Sequence, residues 1–262
     1  MSFTPMDDIA PLKKFSVLGN FNDKLVYLAE QLAEPENWHY DNPKITAKQK
    51  KYGVLFQYIY HTFSKNQDEN NLVFEDEFCI MNTGLLTTSG EEIFMLFSEN
   101  TRKNEQKWFF NSFYRASDRK IPESMRGKLP KHIDYFDGNP EEMYFNPRLT
   151  LLYNMEHIIK DNYDRLPASL RQLDESLLIS VLNSQAEQMK KRILRNNRLV
   201  VPQYYGKTIM YLAPLKFGKD VVPLAIEKNK NSYRINTILT PGMAYCNARL
   251  IMKPESNWLQ NE

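Results

Sequence analysis

The chain has 262 residues, 42% of them apolar and 13% aromatic, with nine glycines and a formal net charge of +2. A chain of this length can bury a sizeable core as one compact domain or two intimately packed lobes without a disulfide or metal staple, and its composition excludes disordered and collagen-like classes. No apolar run approaches the roughly 20 residues of a membrane span, and Cys79 and Cys246 form no CxxC pair, which excludes a zinc-ribbon or thioredoxin-type site.

Taken in chain order, the first twenty residues read as an irregular or strand-forming arm. Asn22 or Asp23 then caps a helix with Leu25, Leu28 and Leu32 on one face, ended by Pro35. Residues 36–43 read as a polar, aromatic loop. A second helix is expected from Thr46, with Leu55, Ile59 and Phe63 at helical spacing and an apolar side broad enough for burial on more than one side. From Asn71 the texture becomes strand-like. Leu72 to Phe74, Phe78 to Met81, Ile93 to Phe97 and Trp108 to Phe113 are short, aromatic and β-branched, joined closely enough for an antiparallel meander. Asn82-Thr83-Gly84 reads as a tight turn after the second of these.

Residues 118–146 contain Pro122, Pro130 and Pro140, with Pro147 just beyond. They read as a long crossing with one helical turn, the best place for a lobe boundary. Glu156 to Arg165 forms a short helix. Asp174 caps the longest one, to about Arg198, with Leu178, Leu182, Met189 and Ile193 as its buried stripe. A second set of three strands follows at Lys207 to Ala213, Val221 to Glu227 and Tyr233 to Leu239. Thr240-Pro241, an N-cap residue before proline, opens a last helix to about Ile251. The fold class is α+β, with mostly antiparallel sheets flanked by helices.

Charge is unevenly spread. Glu187 to Lys230 holds ten basic residues against three acidic ones, a net +7, while His132 to Leu178 holds nine acidic against four basic, a net −5. A neutral total can thus hide a basic face suited to a polyanion, although a solvated helix and its loops would carry the same charges.

Phosphate-loop, dinucleotide, zinc-protease and hydrolase-elbow motifs are absent, and the four histidines lack metal-ligand spacing, so no metal or cofactor is expected. His157 and Asp161 lie at i and i+4, able to orient an imidazole as a general base; a packing histidine is the plainer reading. Asp161 and Arg165 read as an ordinary helical ion pair. In Pro202-Gln203-Tyr204-Tyr205 an amide can read a base edge and tyrosine rings can stack on bases, with Arg195, Arg198 and Lys207 close in sequence to neutralise phosphates. The plainer alternative is packing at a sheet edge. In the last helix Tyr245 and Arg249 lie at i and i+4. Asn247 falls on the stripe expected to face the sheet, where a buried amide demands partners. Asn82 and Thr83 could line a ligand pocket.

Four strings together, MNTGLLTTSGEEIFMLF from Met81, EHIIKDNYDRLP from Glu156, VPQYY from Val201 and MAYCNARLI from Met243, resemble a bacterial domain-of-unknown-function family, number 3825, over most of the chain. Some members are fused to RNA-binding modules, so the resemblance implies an RNA-linked role by association. Thr240-Pro241-Gly242 departs from that family's pattern, in which an acidic residue is more usual before the last helix.

The expectation is therefore an RNA- or nucleotide-binding module with a basic, tyrosine-lined cleft. Its ligand contacts would be Asn82, Thr83, Arg195, Arg198, Gln203, Tyr204, Lys207 and Asn247. The alternative is a metal-independent enzyme acting on RNA or a nucleotide through His157, Arg165, Tyr205, Tyr245 and Arg249. A protein–protein scaffold is the third. Eleven methionines and no signal-peptide pattern point to a reducing cytoplasm, where a Cys79–Cys246 bridge is disfavoured.

Overall fold

A computed structural model describes residues 10–40, 50–102 and 106–259, and the chain divides into two compact units, residues 1–133 and 134–262. The expected start of the second helix at Thr46 lies outside the described residues.

In the first unit the described part of the N-terminal arm is a short helix, α1 (Ala10–Phe15), leading directly into a two-residue strand, β1 (Ser16–Val17), and the first nine residues of the expected arm lie outside the described residues. Helix α2 (Phe21–Tyr27) starts at Asn20, earlier than the Asn22 or Asp23 cap read from sequence, and passes into a π turn over Leu28–Leu32. Helix α3 (Gly53–Asp68) buries Val54, Leu55, Ile59 and Phe63 together with Tyr58 and Tyr60, so it is enclosed on more than one side. Strands β2 (Val73–Glu75), β3 (Phe78–Leu86), β4 (Glu92–Glu99) and β5 (Trp108–Arg115) form the antiparallel meander, and β1 adds to β5 in parallel. Phe97 and Phe110 on one face meet rings from the helices: Phe63 lies 6.1 Å from Phe97 and Phe21 5.7 Å from Phe110. The opposite face buries Ile80, Phe94 and Leu96 under Ile121 and Met125, the latter on a single helical turn, α4 (Glu123–Arg126). Covering both faces explains the unbroken apolar run in β4, where alternation would mark a half-exposed strand.

Asn82-Thr83-Gly84 is not a turn. It lies inside β3, where the register with β4 shifts between Asn82 and Leu86 and Gly84 takes a φ of +72°. A bulge needs the same residue types as a turn, which is why the sequence misleads here.

The second unit opens with β6 (Thr150–Leu152), α5 (Met155–Asn162), a 3-10 turn over Tyr163–Arg165, α6 (Ala168–Arg171) and the long α7 (Glu175–Ile193). Asp174 caps α7 by accepting from the Leu177 amide at 3.0 Å. The helix ends five residues before the expected Arg198, and a 3-10 turn over Asn197–Leu199 intervenes. Strands β7 (Val201–Tyr205), β8 (Thr208–Phe217), β9 (Asp220–Lys228) and β10 (Ser232–Ile238) are antiparallel neighbours, and β6 joins β10 in parallel. The set is thus five strands rather than three. Lys207 belongs to the tight turn between β7 and β8: Gly206 and Lys207 both have positive φ, +58° and +65°, as a two-residue hairpin with right-handed strand twist requires.

Helices α5 and α7 bury Ile158, Ile159, Leu178, Leu182, Met189 and Ile193 against Tyr211, Leu224, Ile226 and Ile235 on one face of this sheet. The last helix, α8 (Pro241–Ile251), packs against β7 and β9 from the other face. Thr240 caps it by accepting from the Met243 amide. Its buried surface runs unbroken from Ala244 to Leu250, wider than the single stripe expected, while Met243 and Ile251 are only partly covered.

Candidate functional site

The basic stretch of the sequence converges on a cavity of about 370 Å³ in the second unit. Met189 and Arg192 come from the last two turns of α7, Leu199 from the 3-10 turn, Pro214 and Lys216 from β8, and Gly218 from the β8–β9 turn. Gly218 has a φ of +59°, which lets the hairpin reverse tightly beside Lys216. The chain's tail holds the turn in place: Trp258 Nε1 donates to the Leu199 carbonyl at 2.9 Å and Ser256 Oγ to that of Arg198 at 2.9 Å. The result is an apolar floor with two exposed cations above it, able to seat a flat ring below and an anionic group beside Arg192 and Lys216.

The other predicted cations are arranged differently. Arg195 is exposed, and its Nη1 donates to the Lys191 carbonyl at 2.8 Å, closing the C-terminus of α7. Arg198 is exposed on the 3-10 turn next to Leu199. Lys207 sits at the far end of β8 from Lys216. Ten strand residues at about 3.3 Å each place those two ends roughly 30 Å apart. Tyr204 and Tyr205 share the Lys207 end. Tyr204 packs edge-on against Tyr135, ring centroids 4.9 Å apart, and Tyr205 is 40% exposed. Tyrosines and α7 arginines therefore do not wall one hollow.

Two pairs of predicted residues do come together. Asn247 Nδ2 donates to Gln203 Oε1 at 3.0 Å, with both side chains buried. This places the Gln203 carbonyl against the last helix rather than toward a base edge. Arg165 and Tyr205 are electrostatic neighbours. The Arg165 Nη1 donates to Thr237 Oγ1 at 3.0 Å and to the Ile238 carbonyl at 2.9 Å. Burial lowers the Arg165 pKa and the Tyr205 phenol opposes that shift. The expected Asp161–Arg165 pair is not formed. Helix α5 stops at Asn162, the tighter turn that follows rotates Arg165 out of the i+4 position, and Asp161 faces His157 instead, at 3.6 Å. His157 and Asp161 are both exposed. Tyr245 and Arg249 are buried in α8.

In the first unit Asn82 and Thr83 are buried and hold the bulge. Asn82 Nδ2 donates to Glu92 Oε1 and the Pro130 carbonyl, and its Oδ1 accepts from the Gly84 amide. Thr83 Oγ1 donates to the Ile93 carbonyl at 2.6 Å.

Among the described residues no three His, Cys, Asp or Glu side chains gather to hold a metal ion, and no helix is long and apolar enough to cross a membrane. Arg192 and Lys216 are site residues that no sequence motif marks. Their only signal was membership of the basic stretch, and what distinguishes them is the meeting of a helix end with a hairpin 24 residues later in the chain.

A family model described as a domain of unknown function, DUF3825, matches residues 29–258. The chain belongs to that family. The DUF3825 match spans elements of both units. Neither the curated proteins nor the solved structures hold a match to the chain.

Proposed function

We propose that the second unit binds RNA or a nucleotide through phosphate. The observation that supports this best is the cavity itself: two exposed cations, Arg192 and Lys216, stand over Met189, Leu199 and Pro214, within a stretch of net charge +7. Phosphate would face the cations and a base would cover the apolar floor. Arg198, exposed on the neighbouring turn, could accept the next phosphate of a strand.

The test is fluorescence anisotropy with a labelled oligouridine at 50 and 200 mM salt. Affinity falls with salt, by a log–log slope of about −0.7 per neutralised phosphate. Arg192→Glu combined with Lys216→Glu weakens binding tenfold or more and flattens that slope. Absence of binding at 50 mM salt, or an unchanged slope in the double variant, sinks the proposal.

A further inference from the structure

Arg165 is held in an unusual way for a partly buried cation. Among the described residues it makes no ion pair, and its one electrostatic neighbour is the Tyr205 phenol. What fixes it is a directed chain of neutral groups. Asn162 Nδ2 donates to the Ile158 carbonyl at 2.9 Å, which orients the amide so that Oδ1 accepts from Thr237 Oγ1 at 2.8 Å. The Thr237 hydroxyl has its shorter acceptor there, the Ile238 carbonyl standing 3.2 Å from the same oxygen, and that oxygen accepts from Arg165 Nη1 at 3.0 Å, while the second Nη1 hydrogen goes to the Ile238 carbonyl at 2.9 Å. Both Nη1 hydrogens are thereby used. Of the five guanidinium N–H groups, the three on Nε and Nη2 remain, and these form the fork that meets two oxygens of one oxyanion.

We infer that the Nε–Nη2 edge of Arg165, beside the Tyr205 phenol, is a binding site for a phosphate group of a nucleotide or RNA. A pinned guanidinium without a counter-charge is already partly desolvated and oriented, so an anion gains the bidentate bond with little cost of ordering the arginine. A phosphate suits the fork better than a carboxylate because it keeps a third oxygen and can carry a second negative charge beside the guanidinium. The site is separate from the Arg192–Lys216 cavity, none of whose lining residues takes part, so either can fail without the other.

The Arg165 Nε–H resonance in a ¹⁵N spectrum, assigned by its loss in Arg165→Lys, reads this edge directly. Inorganic phosphate should shift it saturably at constant ionic strength, where chloride and acetate do not. The shift should persist in the Arg192→Glu, Lys216→Glu protein and in Thr237→Ser, and need at least tenfold more phosphate in Thr237→Val. Triuridine with and without a 5′-phosphate separates the sources: a response to the phosphorylated form alone assigns a terminal phosphate, and an equal response assigns the diester. No shift with phosphate, an equal shift with acetate, or silence toward both oligonucleotides would overturn the inference.

Discussion

Asn247 of the last helix donates to Gln203 of β7 at 3.0 Å, and the two amides, 5% and 1% exposed, lie between helix and sheet where aliphatic side chains would ordinarily pack. The pairing makes each residue the reason the other is tolerated, since an amide buried without its partner costs about 1–3 kcal/mol. Gln203→Leu alone should therefore destabilise by about that amount, and Asn247→Leu likewise. The double variant should recover at least 0.5 kcal/mol relative to the sum, read from urea unfolding as a coupling energy. Simple additivity would mean that the bond contributes nothing.

Gly84 carries a second, sharper constraint. Its φ is +72°, and a Cβ there would stand 2.7 Å from the Tyr58 hydroxyl, which donates to the Thr83 carbonyl at 2.8 Å. Gly84→Ala should cost about 2–4 kcal/mol: roughly 1 for the left-handed backbone and the rest for displacing a buried hydrogen bond. Tyr58→Phe removes the obstructing oxygen, so adding Gly84→Ala on that background should cost only about 1–2 kcal/mol. Equal costs on both backgrounds would show that the hydroxyl is not the obstacle.

How far these features can be read from sequence depends on how local their causes are. Thr240-Pro241 marks the start of α8 correctly, and Asp174 that of α7, because each cap is settled within three residues. The meander strands are legible because apolar runs and short connections are local too. Strand β6 is not, because three residues pair in parallel with Ser232–Arg234, about eighty positions away. Arg165 fails the i, i+4 rule because the helix ends first. The charge excess was visible, but the cavity depends on where the α7 terminus meets the β8–β9 hairpin. The helical stripe shows that the Asn247 amide needs a partner, but 44 residues of intervening chain hide that Gln203 is that partner.

His157 and Asp161 lie 3.6 Å apart with 72% and 59% of their side chains exposed. A pair so open to water contributes about 0–1 kcal/mol. His157→Ala should change the unfolding free energy by no more than about 1 kcal/mol. If the chain binds RNA without cleaving it, total RNA incubated at high protein concentration with chelator stays intact for wild type and variant alike. Cleavage that His157→Ala abolishes would revive the imidazole as a general base.

The first unit should weaken in alkali. Burial pushes the Cys79 thiol up to about 12 and the Tyr60 phenol up to about 12, against ordinary values of 9.0 and 10.0. Above those ordinary values the unfolded chain releases protons that the folded chain keeps. The unfolded state then binds fewer protons, and the unfolding free energy falls as pH rises. Stability is fully present below about pH 9 and is lost as pH climbs toward the folded values near 12, by up to about 1.4 kcal/mol per pH unit for each group. Urea unfolding followed by circular dichroism between pH 8 and 11.5 should show that decline. Cys79→Ala should flatten it from about pH 9, and Tyr60→Phe from about pH 10. A profile that rises with pH, or that neither substitution alters, would mean the two groups ionise as freely folded as unfolded.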